Sequence, residues 1–95
     1  MASRVSLYRI HKAFFHAGFD LVVLTGAVSR GRLKPGMSID LPQELGGPGR
    51  VPIQSVEYVE FLTGRELAVT VAYQDVSDAT FEPSVLEGKE VEVVD

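Results

Sequence analysis

The sequence predicts an all-β domain: a small, closed barrel of about six mainly antiparallel strands. Three observations carry that expectation. Apolar residues alternate with polar ones in short runs, the two-residue period of strands with one face buried. Glycine and proline clusters separate the runs and supply the turns. The most regular stretch, Val22 to Leu41, reads as two strands around a basic turn, with Val22, Leu24 and Val28 on alternate positions before it and Met37, Ile39 and Leu41 after it. Closing such strands into a barrel leaves few bare edges.

In chain order, Val5 and Leu7 begin a first strand, and Ile10 and Phe14 continue it on the other parity. One extra residue near Tyr8-Arg9 would produce that slip, so a β-bulge is expected there. Ala17-Gly18-Phe19-Asp20 forms the hairpin into a second strand, Leu21–Ser29. Gly26 stands where a side chain would otherwise join the Val22/Leu24/Val28 face, which implies a tight bend or a close backbone approach. Gly31 and Pro35-Gly36 bracket the reversal into the third strand.

Residues 42–49, PQELGGPG, make a surface loop, because two prolines and three glycines disfavour both helix and ladder. Val51 and Ile53 share a face in the fourth strand, and a second bulge near Gln54-Ser55 returns Val56 and Tyr58 to the core. Residues 61–65 turn the chain, and Leu67, Val69, Val71 and Tyr73 alternate through the fifth strand. The polar stretch from Gln74 to Glu87 is pegged by Phe81, Val85 and Leu86, and Pro83 discourages a long helix there. After Gly88, Lys89–Val94 closes the sheet through Val91 and Val93. The expected interior is Leu7, Ile10, Phe14, Val22, Leu24, Val28, Met37, Ile39, Val56, Val69, Val71, Val91 and Val93.

Composition limits function. Ninety-five residues suit one domain over residues 1–95, with 45% hydrophobic residues. No apolar run approaches the ~20 residues that span a bilayer, and the N-terminus has no signal-like apolar stretch, so the expected location is cytoplasmic. Cysteine is absent, which removes disulfides and thiolate chemistry. Residues 1–50 carry seven Lys/Arg against three acids, whereas residues 51–95 carry two against ten. That split makes the first half the side that would meet a polyanion.

Thr25-Gly26-x-Val28-x-x-Gly31-x-Leu33-Lys34-x-Gly36-x-x-Ile39 resembles the second-domain β-barrel of translational GTPases of the elongation factor Tu class. The resemblance implies a Greek-key barrel over about Leu7 to Val94. It implies a binding module that docks on a partner, because relatives use this barrel as a docking surface for an attached GTPase domain. The chain lacks the guanine-reading NKxD, since it contains no asparagine. It is therefore expected to be a free-standing barrel or a piece of a larger protein. The family has an Arg-Gly pair where Phe19-Asp20 stands here. In aminoacyl-tRNA-carrying relatives an acidic pair follows the Ile10 equivalent and a phenylalanine follows two residues later. Here His11-Lys12 replace the acids while Phe14 matches the phenylalanine, a charge reversal that argues against aminoacyl-tRNA carriage.

Three other chemistries find little support in the residues. Gly31 to Ser38 has the glycine spacing of a phosphate-binding loop, but Met37 stands where the lysine belongs and a strand follows rather than a helix. His11 and His16, five apart, point to opposite faces of a regular strand, and no third ligand is evident, so no metal or cofactor is expected. The serines sit in no GxSxG elbow, and a small enzyme is the least favoured class. Arg30, Arg32 and Lys34, with Arg50, are the candidate contacts for RNA or a protein partner. The isoelectric point of 5.1 and the lack of interleaved aromatics weigh against a dedicated nucleic-acid module. The leading expectation is a non-catalytic module that binds a GTPase-type or ribosomal protein, or a second copy of itself.

Overall fold

A computed structural model describes residues 5–62, 64–76 and 82–95. Six strands account for most of them: β1 (Val5–His16), β2 (Leu21–Arg30), β3 (Ser38–Leu41), β4 (Gly49–Phe61), β5 (Gly64–Ala72) and β6 (Glu90–Val94). Four short 3₁₀ turns are the only helical segments among the described residues. All pairings are antiparallel, and the order β1-β2-β5-β4-β3-β6 returns to β1, so the sheet is a ring. None of the described helical segments is long and apolar enough to cross a membrane.

The ring is filled by one layer of inward side chains. Val22, Leu24, Ile39, Leu41, Val69, Val71 and Val93 have essentially no exposure, and Leu86 of a 3₁₀ turn seals one end. These are the alternate positions that the period of two assigns to a buried face. Val28 and Val56 pack against this core half-buried, and Leu7 is also only half-buried.

β1 departs from the expected phase. Ser6, Tyr8 and Ile10 face inward and Leu7 does not. The extra β1 residue is His11, between the pairs Ile10↔Gly26 and Lys12↔Thr25; a second irregularity at Leu7/Tyr8 puts the extra residue, Ser29, on β2. The bulge thus lies beyond the expected Tyr8-Arg9. After it, Ala13 turns inward and Phe14 turns out, 46% exposed, so Phe14 is not core. Tyr8 wins the interior because its phenol finds partners there: the hydroxyl donates to the carbonyls of Leu67 (2.7 Å) and Leu24 (3.1 Å). A buried hydroxyl without such partners would cost about 1–3 kcal/mol.

Gly26 is set by backbone proximity. A Cβ there would lie 1.9 Å from the Arg9 carbonyl oxygen and 3.2 Å from the His11 nitrogen. Only a residue without a side chain admits the bulged β1 this close.

The β4 bulge falls at the expected place, between Ile53 and Ser55. It restores Val56 to the core but not Tyr58, which is 70% exposed. The reason is topological. β3 covers β4 only from Gly49 to Pro52, and β2 leaves β5 at Gly26↔Leu67, while the β4–β5 ladder continues to Phe61↔Gly64. The end of this hairpin therefore projects from the ring. Of the expected pegs of the 74–87 stretch, Leu86 is buried, Val85 is exposed, and Phe81 lies outside the described residues.

Candidate functional site

The basic turn between β2 and β3 is firmly built. The Ser6 hydroxyl, buried at the start of β1, donates to the Arg32 carbonyl (2.6 Å) and accepts from the Arg32 N–H (3.0 Å). Gly31 between Arg30 and Arg32 has φ 79°, and a Cβ on it would meet Ser6 Oγ at 2.4 Å. Farther along, the Met37 N–H donates to the Lys34 carbonyl (3.2 Å), and Met37 and Ile53 are joined by an Ile53 N–H bond to the Met37 carbonyl (2.8 Å). Residues 30–37 are thus pinned to both β1 and β4.

Arg30, Arg32 and Lys34 are exposed and line one surface depression with Val5, Ser6, Gly31, Met37 and Asp95. No ion pair engages these three cations among the described residues. Arg50 does not join them. It lies opposite Asp40 in the β3–β4 ladder and lines a separate depression with Glu44, Glu90 and Glu92. Arg30, Arg32 and Lys34 thus line one depression, while β4 carries Arg50, the further candidate contact, to another part of the wall.

The positions matched to the family pocket, His11, Lys12 and Phe14, are all exposed on β1. His11, pushed out by the bulge, reaches across β2 and donates from Nδ1 to Glu66 Oε1 of β5 (2.9 Å). Lys12 and Phe14 are exposed on the outer wall. Glu66 also acts on the interior: burial first, and then its negative charge, push the Tyr8 phenol above its ordinary pKa of 10.0.

The end of the ring opposite the basic turn carries an aromatic cluster that the alternation did not single out. Phe15 and Tyr73 have ring centroids 4.5 Å apart, and His16 and Phe19 have theirs 4.9 Å apart. Phe19 is 73% exposed and Tyr73 41%. Phe19, Asp20, Leu21, Ala72, Tyr73 and Gln74 line a depression there. Its two walls are tied by the Tyr73 N–H, which donates to the Asp20 carbonyl (2.8 Å). Asp20 has φ 51° and is the one non-glycine residue with positive φ among those described. The adjacent Phe14-Phe15 was the available signal, since two neighbours on a strand cannot both face the core.

The projecting β4–β5 hairpin offers another exposed surface. The Arg65 guanidinium sits 5.3 Å from the Tyr58 ring centroid and bonds Glu60 at 3.1 Å, with Leu62 fully exposed near the tip. Among the described residues no group of three or more His, Asp or Glu is disposed to hold a metal ion. Compared with known proteins, the chain is matched by no family model, and neither curated proteins nor solved structures show a significant match.

Proposed function

We propose that this chain is a non-catalytic binding module, a barrel of the elongation factor Tu second-domain type, that docks on a protein partner of GTPase or ribosomal kind. The observation that carries the reading is the aromatic end of the ring. Phe15, against Tyr73, and Phe19 are exposed there, and Phe14 is exposed on the adjoining outer wall, so all three phenylalanines with described side chains stand in water. Large aromatic groups held in water on a domain of this size are what an interface uses as anchors. The family type is supported by the glycine-set β2–β3 segment, in which Gly26 and Gly31 meet neighbouring strands too closely for any side chain.

Sedimentation and pull-down of the intact chain test the reading. A stable complex with a protein, weakened by Phe19→Ser, is the expected result. A lone monomer that retains no protein overturns it.

A second reading has its own observation: Arg30, Arg32 and Lys34 converge on one depression, which Asp95 also lines, and none of the three is in an ion pair among the described residues. In that reading the turn contacts RNA phosphates. Replacing the three by Glu should weaken RNA binding and flatten its salt dependence by about one unit of slope per lost contact. RNA binding that is unchanged by these substitutions removes it.

A further inference from the structure

The depression at the aromatic end has a chemistry of its own. Its walls are two aromatic side chains, Phe19 and Tyr73, and its charged member is Asp20, with Leu21 and Ala72 supplying aliphatic surface. Residues 13–24 and 69–76, which form this end, contain two aspartates, Asp20 and Asp75, and no Lys or Arg. The carboxylate of Glu87 also comes to this part of β1, accepting the Ala13 N–H at 3.2 Å. No ion pair engages Asp20 among the described residues, and aromatic faces beside a carboxylate favour a cation, through the ring quadrupole and through charge. Aliphatic surface alongside suits the methylene stem of a long basic side chain.

Asp20 adopts the left-handed conformation, with φ 51°. A left-handed residue is ordinarily glycine, and each non-glycine exception costs about 1 kcal/mol or more unless it is Asn or Asp. The bond from the Tyr73 N–H to the Asp20 carbonyl supports that conformation and holds the Asp20 backbone beside that of Tyr73.

We infer that this depression receives a Lys or Arg side chain of the protein partner, presented next to apolar residues that cover Phe15. The inference rests on the protein-docking reading above and adds the charge and sequence character of the partner's segment.

Random peptides displayed on phage and selected on the immobilised intact chain test it. The expected outcome is enrichment of peptides with Lys or Arg beside aliphatic or aromatic residues. A synthetic copy of an enriched peptide should lose roughly tenfold in affinity on Asp20→Asn, which keeps the left-handed conformation, and on Phe19→Ser. Glu44→Gln removes one charge in the 42–49 loop and should leave binding unchanged; circular dichroism verifies that each variant folds. Enrichment of acidic or neutral apolar peptides that still depends on Phe19 overturns the basic-partner inference and leaves the docking reading standing. Absence of any Phe19-dependent enrichment overturns both. Self-association that Phe19→Ser abolishes makes the occupant a second copy and overturns the inference as stated.

Discussion

Ser6 and Arg32, 26 residues apart, are joined by two hydrogen bonds through a single hydroxyl, which donates to the Arg32 carbonyl at 2.6 Å and accepts from its N–H at 3.0 Å. This contact decides where the basic turn points. It ties the turn to the first strand, and Gly31 is the residue that lets the two backbones come so close.

Ser6→Ala should therefore cost about 1–3 kcal/mol, because both polar groups of Arg32 lose their partner. Gly31→Ala should cost at least as much, since its methyl would meet the hydroxyl in a left-handed conformation. Combined, the two changes should be less damaging than their sum, because removing Oγ makes room for the methyl. Urea unfolding of the four proteins of this cycle checks the coupling.

Gly26→Ala should be the most damaging single methyl in the chain. The added carbon would lie 1.9 Å from the Arg9 carbonyl oxygen, and backbone cannot rotate away as a side chain can. A loss of about 3 kcal/mol or more is expected, at the upper end of overpacking costs. A thermal midpoint equal to that of the unmodified chain would contradict this placement of the bulge.

Tyr8 gives the domain an alkaline limit. Its phenol has a folded-state pKa above the ordinary 10.0, so the folded chain holds this proton more tightly than the unfolded chain does. The stabilisation is complete below pH 10 and is lost as pH rises from there through the folded-state value. Tyr8→Phe should be less stable at neutral pH by about 1–2 kcal/mol, the hydroxyl's bonds being lost. It should also lack Tyr8's share of the decline above pH 10. Stability measured against pH for both proteins separates these effects.

Leu86 and Phe14 should respond in opposite ways to truncation. Leu86 is completely buried, and Leu86→Ala should cost about 2–5 kcal/mol. Phe14 is 46% exposed, and Phe14→Ser should stay within about 1 kcal/mol of the unmodified chain. Denaturant midpoints of the two variants are enough to tell whether Phe14 belongs to the wall.

Much of the sheet is legible in the sequence because a buried strand face announces itself at every second residue. Val22 and Leu24, Val69 and Val71, and Val91 and Val93 are read correctly on that ground alone, as is the bulge beside Gln54, where the alternation changes phase. Gly26 is legible too, because a glycine within such a pattern marks a place where no side chain fits, whereas Gly31 is legible only as a turn residue and its closeness to Ser6 is not. Where two phases compete, local pattern does not decide. On β1 the choice between Leu7 and Tyr8 depended on carbonyls of Leu24 and Leu67, which lie 16 and 59 residues away. The composition of surface groups was equally non-local. Ring closure moved Arg50 away from Arg30, Arg32 and Lys34, and strand pairing brought Tyr73 to Phe15. Alternation along a strand says which residues need burial, but only the pairing of distant strands says which polar groups can follow them inside and which aromatics are left in water.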